Sequence, residues 1–174
     1  MKTEGNHRRR RRREGESAPE PQPPARLPEP ESEEVLSWEE VSRTHPVRNG
    51  VHQRGGRLVS LLTDFGRINP CYPDHLGESE DTLYYTGNGR RGDQHLNPGN
   101  RALLAAIESG HCVPLFNKLS VGRWQHLGFW RVVAGRQLFD ERENRMLWQF
   151  TLERVRSRKS KVQSRRTKIR FPSF

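Results

Sequence analysis

Charge is distributed so unevenly along this chain that only its middle can supply a folded core. Residues 1–13 carry a net +6, with Arg8 to Arg13 in an unbroken run. Residues 14–40 carry −8, from nine glutamates against Arg26, and residues 154–174 carry +9 with no acidic residue. Like charges in a row repel one another and resist compaction. The stretch 14–35 is also rich in Pro, Glu and Ser, which cannot bury enough apolar surface to offset the entropy of ordering the chain. Residues 41–153, by contrast, are nearly balanced at +3. The chain therefore reads as a disordered Arg-rich and acidic Pro-rich tail over 1–36, one domain over 37–155, and a basic tail over 156–174. A length of 174 residues suits one such domain and leaves little room for a second.

A net charge of +10, gathered at both ends, points to a polyanionic partner. Nucleic acid comes first, because each neutralised phosphate releases counterions. Solvated tails or a localisation signal are the competing reading of the arginine run. A membrane surface fits poorly, since the C-terminal run has no amphipathic stripe. No apolar run approaches the ~18 residues that cross a bilayer. The start lacks a secretory apolar region, so an intracellular protein is expected: nuclear if eukaryotic, in the cytoplasm or nucleoid if bacterial. Cys71 and Cys112 then read as reduced, mostly buried thiols.

Within the middle segment, Ser37-Trp38-Glu39-Glu40 reads as a capping box opening a short helix toward Ser42. Asn49-Gly50 and Gly55-Gly56 are turn signals. Arg57 to Leu62 and Thr82 to Thr86 read as strands. Pro98 stands near a helix start, Ala102, Leu103, Ala106 and Ile107 make one apolar face, and Gly110 closes it. Cys112 to Phe116, Phe129 to Ala134 and Met146 to Val155 are β-like, the last with a half-buried alternation. One main helix among several strands suggests an α+β domain with a curved, barrel-like sheet, and no parallel βαβ array is expected.

The richest segment is Tyr84-Tyr85-Thr86-Gly87-Asn88-Gly89-Arg90-Arg91-Gly92-Asp93-Gln94, followed by Gly99-Asn100-Arg101-Ala102-Leu103. The Gly-x-Gly-x-x-Gly in it is weak support for a dinucleotide site, because Pro98 delays the helix and no second βαβ unit follows. Instead, Tyr-Thr-Gly-x-Gly, then Asp-Gln-x-Leu, then Asn-Arg-Ala-Leu resembles the SRA (YDG) domains that read methylated cytosine. The run is more similar still to the SRA-like modules of McrA-type modification-dependent HNH endonucleases. Gly110 to Phe116, Leu127 to Val133 and Leu147 to Arg154 follow in the family's order, so the resemblance covers roughly residues 55–155. The family's Tyr-Asp-Gly is replaced by His126-Leu127-Gly128.

The resemblance implies a PUA/SRA-like curved β-barrel that flips a cytosine into a pocket, at a cost of a few kcal/mol. It implies Tyr85 as one stacking face, with Thr86 and Gly87 lining the pocket. Tyr72 is the candidate for the opposite wall. Asp74 is the candidate acceptor for the cytosine amino group, with His75 as its substitute. Asn88, Gly89, Arg90 and Arg91 form the loop expected to meet the DNA backbone or fill the gap left by the base. Asp93, Gln94 and Asn100 are read as braces of that loop. The partner expected is duplex DNA with 5-methyl- or 5-hydroxymethylcytosine, with a nuclease or chromatin partner in trans. No catalytic residue, metal or small-molecule cofactor is expected: zinc-deaminase spacing and a Gly-x-Ser-x-Gly elbow are both missing from the sequence. The alternatives are a PUA-like RNA-binding module and the specificity subunit of a modification-dependent nuclease.

Overall fold

The computed structural model describes residues 27–156. Residues 1–26 of the expected N-terminal tail, and 157–174 of the expected basic tail, lie outside the described residues. In chain order the elements are α1 (Trp38–Ser42), β1 (Val51–Arg54), β2 (Arg57–Thr63), β3 (His75–Leu76), β4 (Thr82–Thr86), α2 (Pro98–Ser109), β5 (Cys112–Ser120), β6 (Arg123–Asp140) and β7 (Arg145–Val155). The local signals explain most of them. Ser37 and Glu40 form the reciprocal capping box of α1. Asn97 caps α2 by accepting from Asn100 N, Pro98 fills its first turn, and Gly110 ends it at φ 64°.

The seven strands form one sheet in the order β1-β2-β5-β6-β7-β4-β3. All neighbours are antiparallel except β2 and β5, a parallel pair that the sequence did not suggest. The expected barrel is not closed by hydrogen bonds, because β1 and β3 end the sheet and do not pair with each other. β3 is only two residues long, and Pro70 and Pro73 just before it lack the N–H groups a closing ladder needs. β1 went unread because its four residues lie between two turn signals. Gly55 and Gly56, at φ 57° and 80°, make the two-residue hairpin that pairs it with β2. β6 runs far beyond Phe129 to Ala134: its last third, Gly135 to Asp140, is mostly exposed and is held by pairing with β7. Such a polar ribbon shows no apolar period in sequence.

The main core lies between the sheet and α2, and a smaller one gathers Val41, Phe116 and Trp124 beside α1. Leu61, Leu83, Leu103, Leu115, Leu127, Trp130, Phe150 and Leu152 are all fully buried, and α2 packs across β1, β2 and β6. The chain upstream of α1, assigned by composition to the acidic tail, also lies on the sheet: Glu31 N donates to His126 O at 2.8 Å, and Leu36 exchanges backbone bonds with Trp124. Both cysteines are free, but Cys112 is exposed and Cys71 half-buried, since Cys112 is the first residue of its strand. No helix among the described residues is long and apolar enough to cross a membrane.

The gap between β4 and β2 is spanned by a side chain. Tyr85 is 3% exposed, and its hydroxyl lies 2.9 Å from Leu62 O and 3.0 Å from Gly50 O, donating between them. Tyr85→Phe leaves those carbonyls one donor short. It is expected to lower the unfolding free energy by about 1–2 kcal/mol in urea titrations, and an unchanged midpoint would contradict this bridging role.

Candidate nucleic-acid interface

A cavity of ≈ 290 Å³ opens where β4 faces the end of β2. Tyr72, Asp74, Tyr85, Thr86 and Gly87, five residues singled out in the sequence, all line it, as do Asn88 and Arg90 from the glycine-rich loop. Arg91 is exposed and does not line it, and His75 is exposed on β3 with its ring against Tyr84. Asp74, not His75, therefore faces the cavity. The volume lies near the bottom of the ~300–1,000 Å³ range of small-molecule pockets, room for one ring rather than two.

Asp74 is the chemical centre. Its Oδ1 accepts from Thr86 N at 2.7 Å and its Oδ2 from Thr63 Oγ1 at 2.7 Å. Both partners are neutral, so burial raises its pKa from 3.8 to about 7, against the lowering effect of those bonds. The carboxyl thus changes charge near neutral pH. Thr63 was not legible as a site residue: nothing in the apolar strand Arg57–Thr63 marks its last position as the partner of an acid eleven residues later.

The wall opposite β4 comes from the loop before β1. His45 is fully buried, with Nε2 donating to Asn49 O at 2.7 Å and Nδ1 2.8 Å from Ser60 Oγ. Burial pushes it down to about 4, so it stays neutral and fixes the Asn49-Gly50 turn in the cavity wall. Gly50 is required there, because a Cβ would stand 2.8 Å from the Tyr85 hydroxyl. Arg48, Lys118 and Trp124 also line the cavity, as do Asp64 and Asn69, and were missed too. The Arg48 guanidinium lies 4.5 Å from the Trp38 ring centre, Lys118 Nζ lies 5.6 Å from that of Trp124, and the two indoles are 5.6 Å apart. Cations held over aromatic rings keep their charge while giving up part of their hydration.

The glycine-rich loop is anchored by polar side chains. Gln94 donates to Gly87 O and Gly89 O and accepts from Trp148 N. Asn100 accepts from Asn88 N at 2.6 Å and donates to Asn88 O and His95 O. Asp93 accepts from Met146 N. Arg145, 3% exposed and absent from the sequence reading, donates to Gly89 O, Gly92 O and Cys71 O. It thereby ties the Tyr72 side of the cavity to the loop. Gly87 is needed for this packing rather than for approach to a ligand: a Cβ would meet Asn100 Oδ1 and Trp148 Cβ at 2.8 Å. The amides of Thr86 and Gly87 already donate, to Asp74 and Trp148 O. These two residues therefore offer a ligand shape and carbonyls, not N–H donors. Among the described residues no group of three or more His, Cys, Asp or Glu is placed to hold a metal ion.

Two predictions follow from this arrangement. Gly87→Ala should destabilise the domain by about 1–3 kcal/mol through overpacking, and a wild-type midpoint in urea would contradict the close contacts. The second concerns pH. Asp74 holds a proton in the folded state that the unfolded chain releases near 3.8, so its contribution to stability is complete below that pH and is lost as pH rises to about 7. His45 takes up its proton near 6.5 when unfolded but only near 4 when folded, so its contribution is complete above 6.5 and is lost as pH falls toward 4. Between pH 4 and 6.5 the slopes oppose. Asp74→Asn should therefore lose stability more steeply than wild type on acidification across that window, and His45→Gln less steeply. Parallel curves for all three proteins would contradict the assignment.

The described geometry has counterparts among known proteins. A family model for the ScoMcrA-like SRA domain matches residues 47–170, about seven tenths of the chain. No curated protein sequence matches. The SUVH5 SRA domain, solved in complex with hemimethylated CG DNA, superposes with a TM-score of 0.60 at 22% identity, over 78% of this chain and 91% of that one. The same domain bound to fully hydroxymethylated CG DNA gives 0.58 at 23% identity, over 78% and 92%. The modification-dependent restriction endonuclease TagI gives 0.58 at 19% identity, over 79% of this chain and 52% of that one. At these identities the likeness establishes a mostly β, SRA-like fold, whose curved sheet here stays open. The family match decides kinship: this chain belongs to the ScoMcrA-like SRA domain family.

Proposed function

We propose that this domain binds duplex DNA and reads a modified cytosine, 5-methyl or 5-hydroxymethyl, by receiving the extruded base in the cavity between β2 and β4. The observation that carries the reading is the convergence of Tyr72, Tyr85 and Asp74 on one cavity open to solvent beside exposed Arg48 and Arg90. It is supported by the neighbours of the same fold that were solved with methylated and hydroxymethylated DNA.

In this reading Tyr72 offers a ring face to the pyrimidine, worth about 1–3 kcal/mol against the unstacking cost, and Tyr85 lines the cavity from its buried position. Ionised Asp74 accepts from the exocyclic amino group, an interaction thymine cannot make because it carries a carbonyl there. Arg48, Lys118, Arg90 and Arg91 provide positive charge for the phosphates around the vacated site. Asn88 and Gly89 carry those last two arginines on a loop whose base is fixed by Gln94 and Asn100. The domain recognises and does not cut. Any cleavage would fall to a nuclease module or a partner in trans, as the fold's presence within about half of the TagI chain suggests.

The test is a set of equilibrium titrations at fixed salt with duplexes that differ only in cytosine, 5-methylcytosine or 5-hydroxymethylcytosine at one position. A modified duplex should bind at least about tenfold more tightly than the plain one, roughly 1.4 kcal/mol. Equal affinity for all three would overturn the reading, and structured RNA outcompeting the duplexes would point to an RNA-binding module. Asp74→Asn keeps the shape, removes a buried charge and places an amide donor against the base's own donor. It should fold while losing about 10- to 100-fold in affinity for modified DNA. Because the base needs the ionised carboxylate, wild-type affinity should fall as pH drops below about 7. The same protonation stabilises the fold, so unfolding of this site cannot account for the loss. The Asp74→Asn protein should lack this pH dependence.

A further inference from the structure

A second cavity, ≈ 250 Å³, adjoins the first and shares Asn49, Val51 and Asn88 with it. The remaining polar groups that line it come from β1 and the start of α2. No carboxylate is among its lining residues. On the α2 side, Pro98 has no N–H, Asn100 N donates to the Asn97 side chain and Arg101 N donates to Asn97 O. This leaves Gly99 N–H as the first-turn amide that the cap does not take, at the positive end of a 12-residue helix. On the β1 side stands His52, which is 8% exposed, lines the cavity, and has no hydrogen bond from either ring nitrogen among the described residues. Its ring meets that of His45 edge to face, with centroids 5.7 Å apart. Asn88 also lines the cavity, its Nδ2 3.1 Å from where a Cβ on Gly99 would be, so glycine at 99 keeps that carboxamide close to the helix end.

An unsatisfied helix-end amide, a carboxamide and a buried imidazole without a partner form a donor set for a small anion. We propose that this second cavity holds the backbone phosphate next to the extruded nucleotide, with Gly99 N–H, Asn88 Nδ2 and His52 as its donors. The assignment rests on the base-reading function, because the ligand that joins the two cavities through Asn88 is a nucleotide with its base in one and its phosphodiester in the other. The chemistry recognised is a phosphate oxygen, and a free phosphate ion is the other possible source.

The experiment uses the full chain and a duplex with one 5-hydroxymethylcytosine, in which the phosphate on either side of that nucleotide is replaced by a neutral methylphosphonate. One of the two replacements should lower wild-type affinity about tenfold, the scale of one hydrogen bond to a charged group. His52→Gln should lower affinity for the unmodified backbone by a similar factor and make that replacement cost nothing further. Equal losses in wild type and variant, or no loss at either position, would overturn the site. A second measurement on wild type follows the Gly99 amide and the His52 ring by NMR as inorganic phosphate is added. Both resonances should shift, and the duplex should displace the ion; absent shifts overturn the site, and shifts that the duplex does not reverse make it a free-anion site instead. If plain and modified cytosine bind alike, the base-reading function fails, while the coupling of His52 to a backbone phosphate is still decided by the methylphosphonate comparison.

Discussion

The structure depends on a carboxylate buried without a cation. Removing an ion from water carries a cost of several kcal/mol that neutral hydrogen bonds repay only in part. Asp74 meets it with bonds from the Thr63 hydroxyl and from Thr86. Those partners lie on β2 and β4, the strands on either side of the gap, so the acid holds together the edges of the cavity it serves. Its balance between charged and neutral forms is a consequence of the same arrangement. A group that gives up stability to remain available as an acceptor is what a recognition site requires and what a core would not tolerate.

Around that centre the domain uses hydrogen-bonded polar side chains where one might look for apolar packing. Gln94, Asn100 and Arg145 each satisfy two or more backbone groups in the loop of residues 87–92. The loop carries three glycines and could not hold a shape through its own side chains. Each brace sits on a different part of the chain, so the loop is fixed to the start of β7, to α2 and to the segment bearing Tyr72. His45 does the same for the opposite wall. A cavity built in this way is largely formed before a ligand arrives, which limits the ordering cost of binding.

Sequence reasoning reached the elements with strong local signals. The Ser37 capping box, Pro98 at the start of α2, Gly110, and the alternation through β7 all specify their structures within a few residues. It failed where geometry is imposed from a distance: β3 exists only because β4 supplies its partner, and the outer third of β6 only because β7 does. The site divides in the same way. Tyr72, Asp74 and Tyr85 were reached through the family resemblance, and Gln94 and Asn100 through their setting beside a glycine-rich loop. Thr63, Arg48, Lys118, Trp124 and Arg145 come from five separate segments with no motif between them, so only folding brings them together. Gly87 was singled out as lining a ligand pocket, whereas the neighbours that exclude a side chain there are Asn100 and Trp148 of the protein itself.

The central claim is that a cytosine leaves the helix to enter this cavity. The most direct measurement places 2-aminopurine, whose fluorescence is quenched by stacking, beside a single modified cytosine in a duplex and follows its emission as the protein binds. Emission should rise to a plateau at one protein per site for the modified duplex, and stay low for the unmodified duplex at the same occupancy. A modified duplex fully bound by the protein with no change in emission would show the base still stacked, and the account would be wrong.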